Sequence, residues 1–308
     1  MSGALLTRGD RVGVVATGFA VSPDALDAGL AALRRRGLIP VVGPHLRAID
    51  GYLAGDDAAR AGDLDAAIAD PKLAAVWFAR GGYGTARILD LFDLDRLVRR
   101  PKLLLGYSDL TALFSALLAR ASTVCLHAPV VAELGRRPAF HAPSLSAALA
   151  GRATRRRVAS SDVLRGGSAR GRLMGGNLTV LCHLLGTRHM PDMQGAMLFL
   201  EETGEETYRI DRLFQHLRMS GALAGVRAVL LGQFHLPPTA RAFPGDRELD
   251  AVLRDQLLPL KVPVVRGFPA GHGPGKWTLP LGGTAALDTA AGLVTFDPRP
   301  APRPPRRS

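Results

Sequence analysis

The feature that most restricts the fold of this chain is an alternation running through its first half. Short apolar runs alternate with segments whose apolar residues recur at helical spacing. Residues 11–16 (RVGVVA), 39–42 (IPVV), 74–79 (AAVWFA) and 102–105 (KLLL) read as buried strands. Between them, Ser22-Pro23-Asp24 opens a helix that runs through Leu26, Leu30 and Leu33 and stops at Gly37. Residues 56–69 read as a second helix, ending before Asp70-Pro71. Further helices are expected after Gly84, through Ile88 and Leu91, and after Ser108. Apolar strands separated by helices predict a parallel sheet covered on both faces. Ligands on such sheets bind beyond the carboxyl ends of the strands.

The pattern changes near residue 150. Residues 151–170 (GRATRRRVASSDVLRGGSAR) are basic, small and turn-rich, and read as a linker. Beyond them strands are expected at 196–200, 228–232, 262–266 and 293–296, with helices at 178–185, 210–219 and around 249–257. The expectation is therefore an α/β protein of two domains. An N-terminal parallel-sheet domain spans 1–150, and a smaller, β-rich C-terminal domain spans 171–297. The tail 298–308 (PRPAPRPPRRS) is expected to be disordered.

Composition narrows the function classes. Cys125 and Cys182, the only cysteines, both sit in apolar runs and read as reduced core residues of a cytoplasmic protein. The first apolar stretch holds Gly and Thr without a cleavage pattern, so it reads as a strand and not as a signal peptide. No run of about 18 apolar residues suggests a membrane span. The net charge of +12 raises the question of nucleic acid, but aromatic residues make up only 6%, too few for stacking platforms. An anionic small substrate fits the charge as well. His183 and His189 are six apart, and no HExxH or cysteine pair accompanies them, so neither a metal nor a cofactor is expected.

Four places could carry chemistry. Ser108 lies on the corner of Gly106-Tyr107-Ser108-Asp109-Leu110, between an apolar strand and a helix. It is either a helix cap or a nucleophile held on a strained turn, although the second glycine of G-x-S-x-G is absent. Arg80-Gly81-Gly82-Tyr83-Gly84 also joins a strand to a helix. It fails as a dinucleotide fingerprint because Arg87 occupies the last glycine position, and it is either a bare turn or a place where backbone N–H groups approach a ligand. Glu201 and Glu202 end an apolar run; they face solvent, or one of them orients a histidine. His272 sits among glycines in Ala270-Gly271-His272-Gly273-Pro274-Gly275-Lys276. That loop fails as a phosphate loop because Ala270 and Trp277 replace required residues. Together, these positions supply an alcohol, an acid and a base, the set that nucleophilic acyl transfer needs.

These segments, with Gly175-Gly176-Asn177-Leu178 and Tyr208-Arg209-Ile210-Asp211-Arg212, resemble in order and spacing the LD-carboxypeptidase family. That family comprises murein tetrapeptide carboxypeptidases and the related microcin C immunity peptidases. The resemblance implies a metal-free serine peptidase with Ser108 as nucleophile, Glu201 and His272 completing the triad, and the backbone N–H groups of Asp109 and Gly82 forming the oxyanion hole. It also implies a site between the two domains, a homodimer, and a peptide substrate ending in D-alanine. Arg80, Gly81, Asn177 and Trp277 are candidate substrate-binding residues, with Trp277 keeping an aminoacyl-nucleotide substrate open. His127-Ala128-Pro129 departs from the family's usual His-Gly-Pro, and a neutral structural effect is expected there.

Overall fold

The computed structural model describes residues 5–135, 139–238 and 247–301. The first sheet contains β1 (Arg11–Val15), β2 (Ile39–Val42), β3 (Leu73–Phe78), β4 (Leu103–Gly106) and β5 (Cys125–His127), all parallel and ordered β2-β1-β3-β4-β5. Helices α1 (Pro23–Arg35), α2 (Asp57–Ala69), α3 (Leu94–Arg99), α4 (Thr111–Leu118) and α5 (Ala142–Leu149) accompany it. Strand order reverses between β1 and β3, and the crevice at such a switch is where open α/β sheets bind ligands.

Local sequence accounts for these elements. In α1, Pro23 starts the helix, Asp24 lies in the first turn, Arg34 and Arg35 lie in the last, and Leu26, Leu30 and Leu33 form the buried stripe. Asp56 caps α2 by accepting from the Ala59 N–H at 2.7 Å. Every residue of α4 is buried, as its apolar sequence requires.

Among the described residues, the second sheet has eight strands. These are β6 (Thr154–Arg157), β7 (Val163–Arg165), β8 (Ser168–Asn177), β9 (Ala196–Thr203), β10 (Ala228–His235), β11 (Val264–Val265), β13 (Gly283–Asp288) and β14 (Leu293–Pro300). Between them in sequence, β12 (Leu279–Leu281) leaves this sheet and pairs antiparallel with β5 of the first. Strands β8, β9, β10 and β11 are parallel. They are linked through α6 (Leu178–Cys182), α7 (Thr207–Met219) and α8 (Leu249–Leu257). The remaining pairings are antiparallel.

Three expectations need correction. Residues 151–170 are not a linker: they contain β6, β7 and the start of β8. The arginines of β6 belong to a strand at the sheet's edge, where charged side chains are tolerated and discourage pairing with another chain. The tail is not wholly irregular, because β14 continues to Pro300 and Ala301 is buried; positions 302–308 lie outside the described residues. The helix expected after Gly84 is a single 3-10 turn, Thr85–Ile88.

The two halves share their main core, while a second cluster, with Val14, Leu30 and Trp77, belongs to the first half alone. The main cluster runs from Phe78, Leu113 and Phe114 in the first half to Leu173, Leu198 and Phe214 in the second. Helix α4 lies against the second sheet at both of its ends. At the start, the Asn177 N–H donates to Thr111 Oγ1 at 3.0 Å. At the end, the buried Arg172 guanidinium donates to the carbonyls of Leu118 and Ala121, at 3.1 and 2.7 Å.

Candidate active site

The helix that begins after Ser108 is thus held at both ends by the second sheet, and the turn feeding it is strained. Ser108 has φ 66°, one of two non-glycine residues in the left-handed region among those described. Holding an ordinary residue there costs on the order of 1–3 kcal/mol and persists only where the surroundings enforce it. The residue does not act as a helix cap. Tyr107 caps the 3-10 turn Ser108–Leu110 and Leu110 caps α4, neither through a side-chain hydrogen bond. The serine hydroxyl instead lies 3.0 Å from His272 Nε2.

The imidazole is held from its other side by Glu201, whose Oε2 lies 2.7 Å from His272 Nδ1. Glu201 is fully buried near the carboxyl end of β9. Gly271 makes the approach possible: its φ is +133°, and a Cβ there would stand 3.0 Å from Glu201 Oε2. The loop is fixed further by the Gly273 N–H, which donates to Gln233 Oε1 at 2.8 Å.

Glu202 is buried too, which corrects the reading of a solvent-facing strand end. It accepts from Asn177 Nδ2, the Thr179 N–H and the Thr203 N–H at 3.1, 2.8 and 2.8 Å. Burial pushes its carboxyl pKa upward against those hydrogen bonds. The strand alternation expected at this pair holds in function: one carboxylate meets the imidazole, the other braces the start of α6.

The glycine turn after β3 lies directly against the serine. A Cβ on Gly81 would sit 2.9 Å from Ser108 Cβ, and one on Gly82, at φ +103°, would sit 2.3 Å from the Phe19 ring. Asp109 ties the two turns together, its carboxylate accepting from the Thr85 N–H at 2.8 Å; burial raises its pKa.

A cleft of about 490 Å³ opens over these groups. Its wall includes Phe19 and Ser22 after β1, Arg80 to Gly82 after β3, and Tyr107 and Ser108 after β4. Glu133, after β5, and Thr203 and His272 from the second half complete it. Arg80 donates to the Ala20 carbonyl at 2.7 Å and lies over the Phe19 ring.

Two expected substrate contacts are not in this wall. Asn177 spends its amide on Glu202 and on the Val180 N–H, so it caps α6 and braces the neighbouring carboxylate. Trp277 is 8% exposed and stacks on His141, with centroids 4.6 Å apart and planes 5° apart, while Arg156 covers it. Glycines around residue 272 suggested an open loop; in fact the indole turns inward, because packing against His141 and Phe268 buries its large apolar surface.

Tyr107, Glu133 and Lys276 also meet beside the cleft, and the sequence does not single them out: Lys276 stands there only as the lysine of a failed phosphate loop, and no spacing marks Glu133. No group of three or more His, Cys, Asp or Glu side chains able to hold a metal occurs among the described residues. None of their helices is long and apolar enough to cross a membrane.

Family models match both halves: the LD-carboxypeptidase N-terminal domain over residues 12–128 and the LD-carboxypeptidase C-terminal domain over residues 170–287. A Streptomyces coelicolor relative, named only provisionally as a carboxypeptidase, is 44% identical over 307 residues, covering 97% of this chain and 96% of its own. The murein tetrapeptide carboxypeptidase of Pseudomonas aeruginosa is 33% identical over 291 residues, 90% of this chain and 93% of its own. Among solved structures, the muramoyltetrapeptide carboxypeptidase of Oxalobacter formigenes superposes with a TM-score of 0.82 at 30% identity, over 94% of this chain and all of its own. The microcin C7 self-immunity protein MccF shares the fold, with a TM-score of 0.86 at 24% identity over 96% of this chain and 98% of that one. With matches to both domain models and relatives of this identity along nearly its whole length, the chain belongs to the LD-carboxypeptidase family and is a serine-type carboxypeptidase.

Proposed function

We propose that this protein hydrolyses the peptide bond before a terminal D-alanine in murein tetrapeptides, through a Ser108–His272–Glu201 triad and an acyl-enzyme. The reading rests on one observation above all: the continuous hydrogen-bond chain from Ser108 Oγ through His272 to Glu201, 3.0 and 2.7 Å long, with Ser108 and His272 lining the cleft. Ser108 Oγ attacks the carbonyl carbon on the L-configured side of the bond, and His272 Nε2 takes its proton. The carboxylate of Glu201 fixes the tautomer with hydrogen on Nδ1 and stabilises the imidazolium that forms. The backbone N–H groups of Asp109 and Gly82 receive the developing oxyanion. His272 then protonates the departing amine of D-alanine. Water, deprotonated by His272, releases the acyl group and restores Ser108.

Arg80 is the one arginine or lysine in the cleft wall among the described residues, and its guanidinium is the partner assigned to the substrate's terminal carboxylate. A place in the cytoplasm and a homodimer complete the proposal, the first supported by two buried, unpaired cysteines and the second by the family resemblance alone. An aminoacyl-nucleotide substrate draws less support, because Trp277, the residue suited to stack on a base, is packed away from the cleft wall.

The test is to incubate purified protein with a tetrapeptide ending in D-alanine and with its L-alanine counterpart. The expected result is release of D-alanine only, lowered roughly 10⁴- to 10⁶-fold in Ser108→Ala. Cleavage of neither peptide, or full activity in the variant, overturns the proposal.

A further inference from the structure

Four residues beyond His272, the same loop carries Lys276, which is 3% exposed. Its ammonium donates to the hydroxyl of Tyr107 at 2.7 Å and to Glu133 Oε1 at 2.5 Å. The Tyr107 hydroxyl in turn donates to that same carboxylate oxygen at 2.9 Å, closing a triangle. Glu133 Oε2 accepts the Val130 N–H at 3.2 Å, so the carboxylate is held by its own turn. The Lys276 ammonium also lies 4.2 Å from the centre of the Tyr107 ring, which packs 4.8 Å from the His272 ring.

The chain positions matter as much as the contacts. Tyr107 immediately precedes the strained Ser108, and Lys276 closely follows His272. The triangle therefore joins the segment carrying the hydroxyl to the segment carrying the imidazole, by a route separate from the Ser108–His272 hydrogen bond itself. Taking an ammonium out of water is costly, and leaving one buried is tolerated only when its geometry is good. Here the ammonium bridges two wall residues of the cleft, Tyr107 and Glu133, while its own loop supplies the imidazole.

We propose that Lys276 is a positioning residue, one that sets the Ser108–His272 distance by pinning the histidine loop to the turn that carries the serine. It touches neither the reacting atoms nor Ser108, and acts through Tyr107 and Glu133. The inference rests on the triad reading above, since a positioning role needs a reaction to serve. Small misplacements in such a pair are expensive: an error of about 1 Å costs on the order of 10²-fold in rate.

The experiment compares wild type, Lys276→Met, Lys276→Arg, Tyr107→Phe and the double variant Lys276→Met/Glu133→Gln. Steady-state kinetics on the D-alanine tetrapeptide are read alongside the low-field His272 Nδ1–H proton resonance of the free enzyme. Lys276→Met is expected to lower kcat roughly 10- to 100-fold with KM within about 2-fold, and to shift or broaden the His272 resonance. Tyr107→Phe keeps the ring and loses one link; it is expected to lower kcat roughly 3- to 10-fold, and it carries the test if Lys276→Met does not fold. Lys276→Arg should retain most of the rate.

The double variant separates positioning from a stranded charge. If it stays as slow as Lys276→Met, the tie itself is what was lost. If it recovers the wild-type rate, the unpaired Glu133 carboxylate caused the defect and the proposal falls. Folded Lys276→Met or Tyr107→Phe with unchanged kcat and an unchanged His272 resonance also overturns it. Failure of the peptidase reading looks different: wild type cleaves neither peptide, while the His272 resonance still reports whether Lys276 holds the loop.

Discussion

The two sheets contribute different kinds of group to the cleft. The first supplies mostly backbone: the positive-φ corner at Ser108 and the close-packed Gly81-Gly82 turn, which carry the N–H groups proposed for the oxyanion. The second supplies the carboxylate–imidazole pair, Glu201 from the end of β9 and His272 from a glycine loop, whereas Arg80 and Glu133 of the wall belong to the first. A hydroxyl on the first sheet gains a base only where the second sheet brings one. Under the proposed reaction, the first half contributes mostly the shape of the site, and the second half its acid and base.

The largest expected effect breaks the charge contribution alone. Glu201→Gln keeps the size of the side chain but replaces a carboxylate with an amide, so nothing stabilises the imidazolium and the tautomer is no longer fixed. A kcat lowered by roughly 10⁴-fold, with KM little changed, is expected from steady-state kinetics on the D-alanine tetrapeptide. A loss below about 10-fold would mean that the second sheet's charge is not what makes Ser108 reactive.

How much of this division is legible in the sequence follows from the same contrast. In the first half, β2 spans the expected residues and β1 and β3 lie within one residue of expectation, because continuous apolar runs bounded by helices have few alternative readings. In the second half, α8 matches, but β8 was hidden. Its outer part, Ser168 to Gly171, looks like a basic loop, and its inner part ends in Gly175-Gly176, which a strand pattern alone rejects. Those glycines are required by proximity: a Cβ on Gly175 would stand 1.9 Å from the Phe199 carbonyl oxygen, and one on Gly176 2.4 Å from Thr111 Oγ1. Ser108, Glu201 and His272, which the structure joins in one hydrogen-bonded chain, each sit in a local pattern that the family resemblance makes readable. Lys276 and Glu133 could not, because their meaning arises only when residues 143 positions apart come together. Asn177 and Trp277 lie outside the cleft wall for the converse reason, since a polar or aromatic residue near a motif looks available until its partners are known.

A smaller effect tests where the sheets meet over the proposed triad. His127, at the end of β5, is buried between Tyr107 of the first half and Phe199 of the second, with centroids 5.4 and 5.1 Å away. Burial pushes its pKa down to about 4, against the attraction of Glu201 and with help from His272 and Lys276. The native state thus holds a neutral ring where the unfolded chain takes up a proton near pH 6.5. This contribution is fully present above pH 6.5 and is lost as pH falls toward about 4. Asp109 and Glu202, whose carboxyl pKa values are raised by burial, act in the opposite sense over acid pH. His127→Phe isolates the histidine: in urea unfolding at several pH values, the wild type should lose on the order of 3 kcal/mol more than the variant between pH 6.5 and 4. Parallel pH profiles would show that the ring is not kept neutral by this packing.

The smallest expected effect concerns the seam itself. Thr111 is 1% exposed, and its Oγ1 accepts the Asn177 N–H from β8, linking the serine's helix to the second sheet. Thr111→Val keeps the shape, removes the acceptor and strands a buried N–H beside Gly176, which should cost about 1–3 kcal/mol in urea unfolding. Catalysis should change less than about 3-fold, because Ser108 is held by its own turn and His272 by Glu201 and Gln233. The opposite outcome, a large fall in kcat at unchanged stability, would place control of the Ser108–His272 geometry in the seam. The division between a shaping sheet and a charging sheet would then fail, because one hydrogen bond between them would govern both.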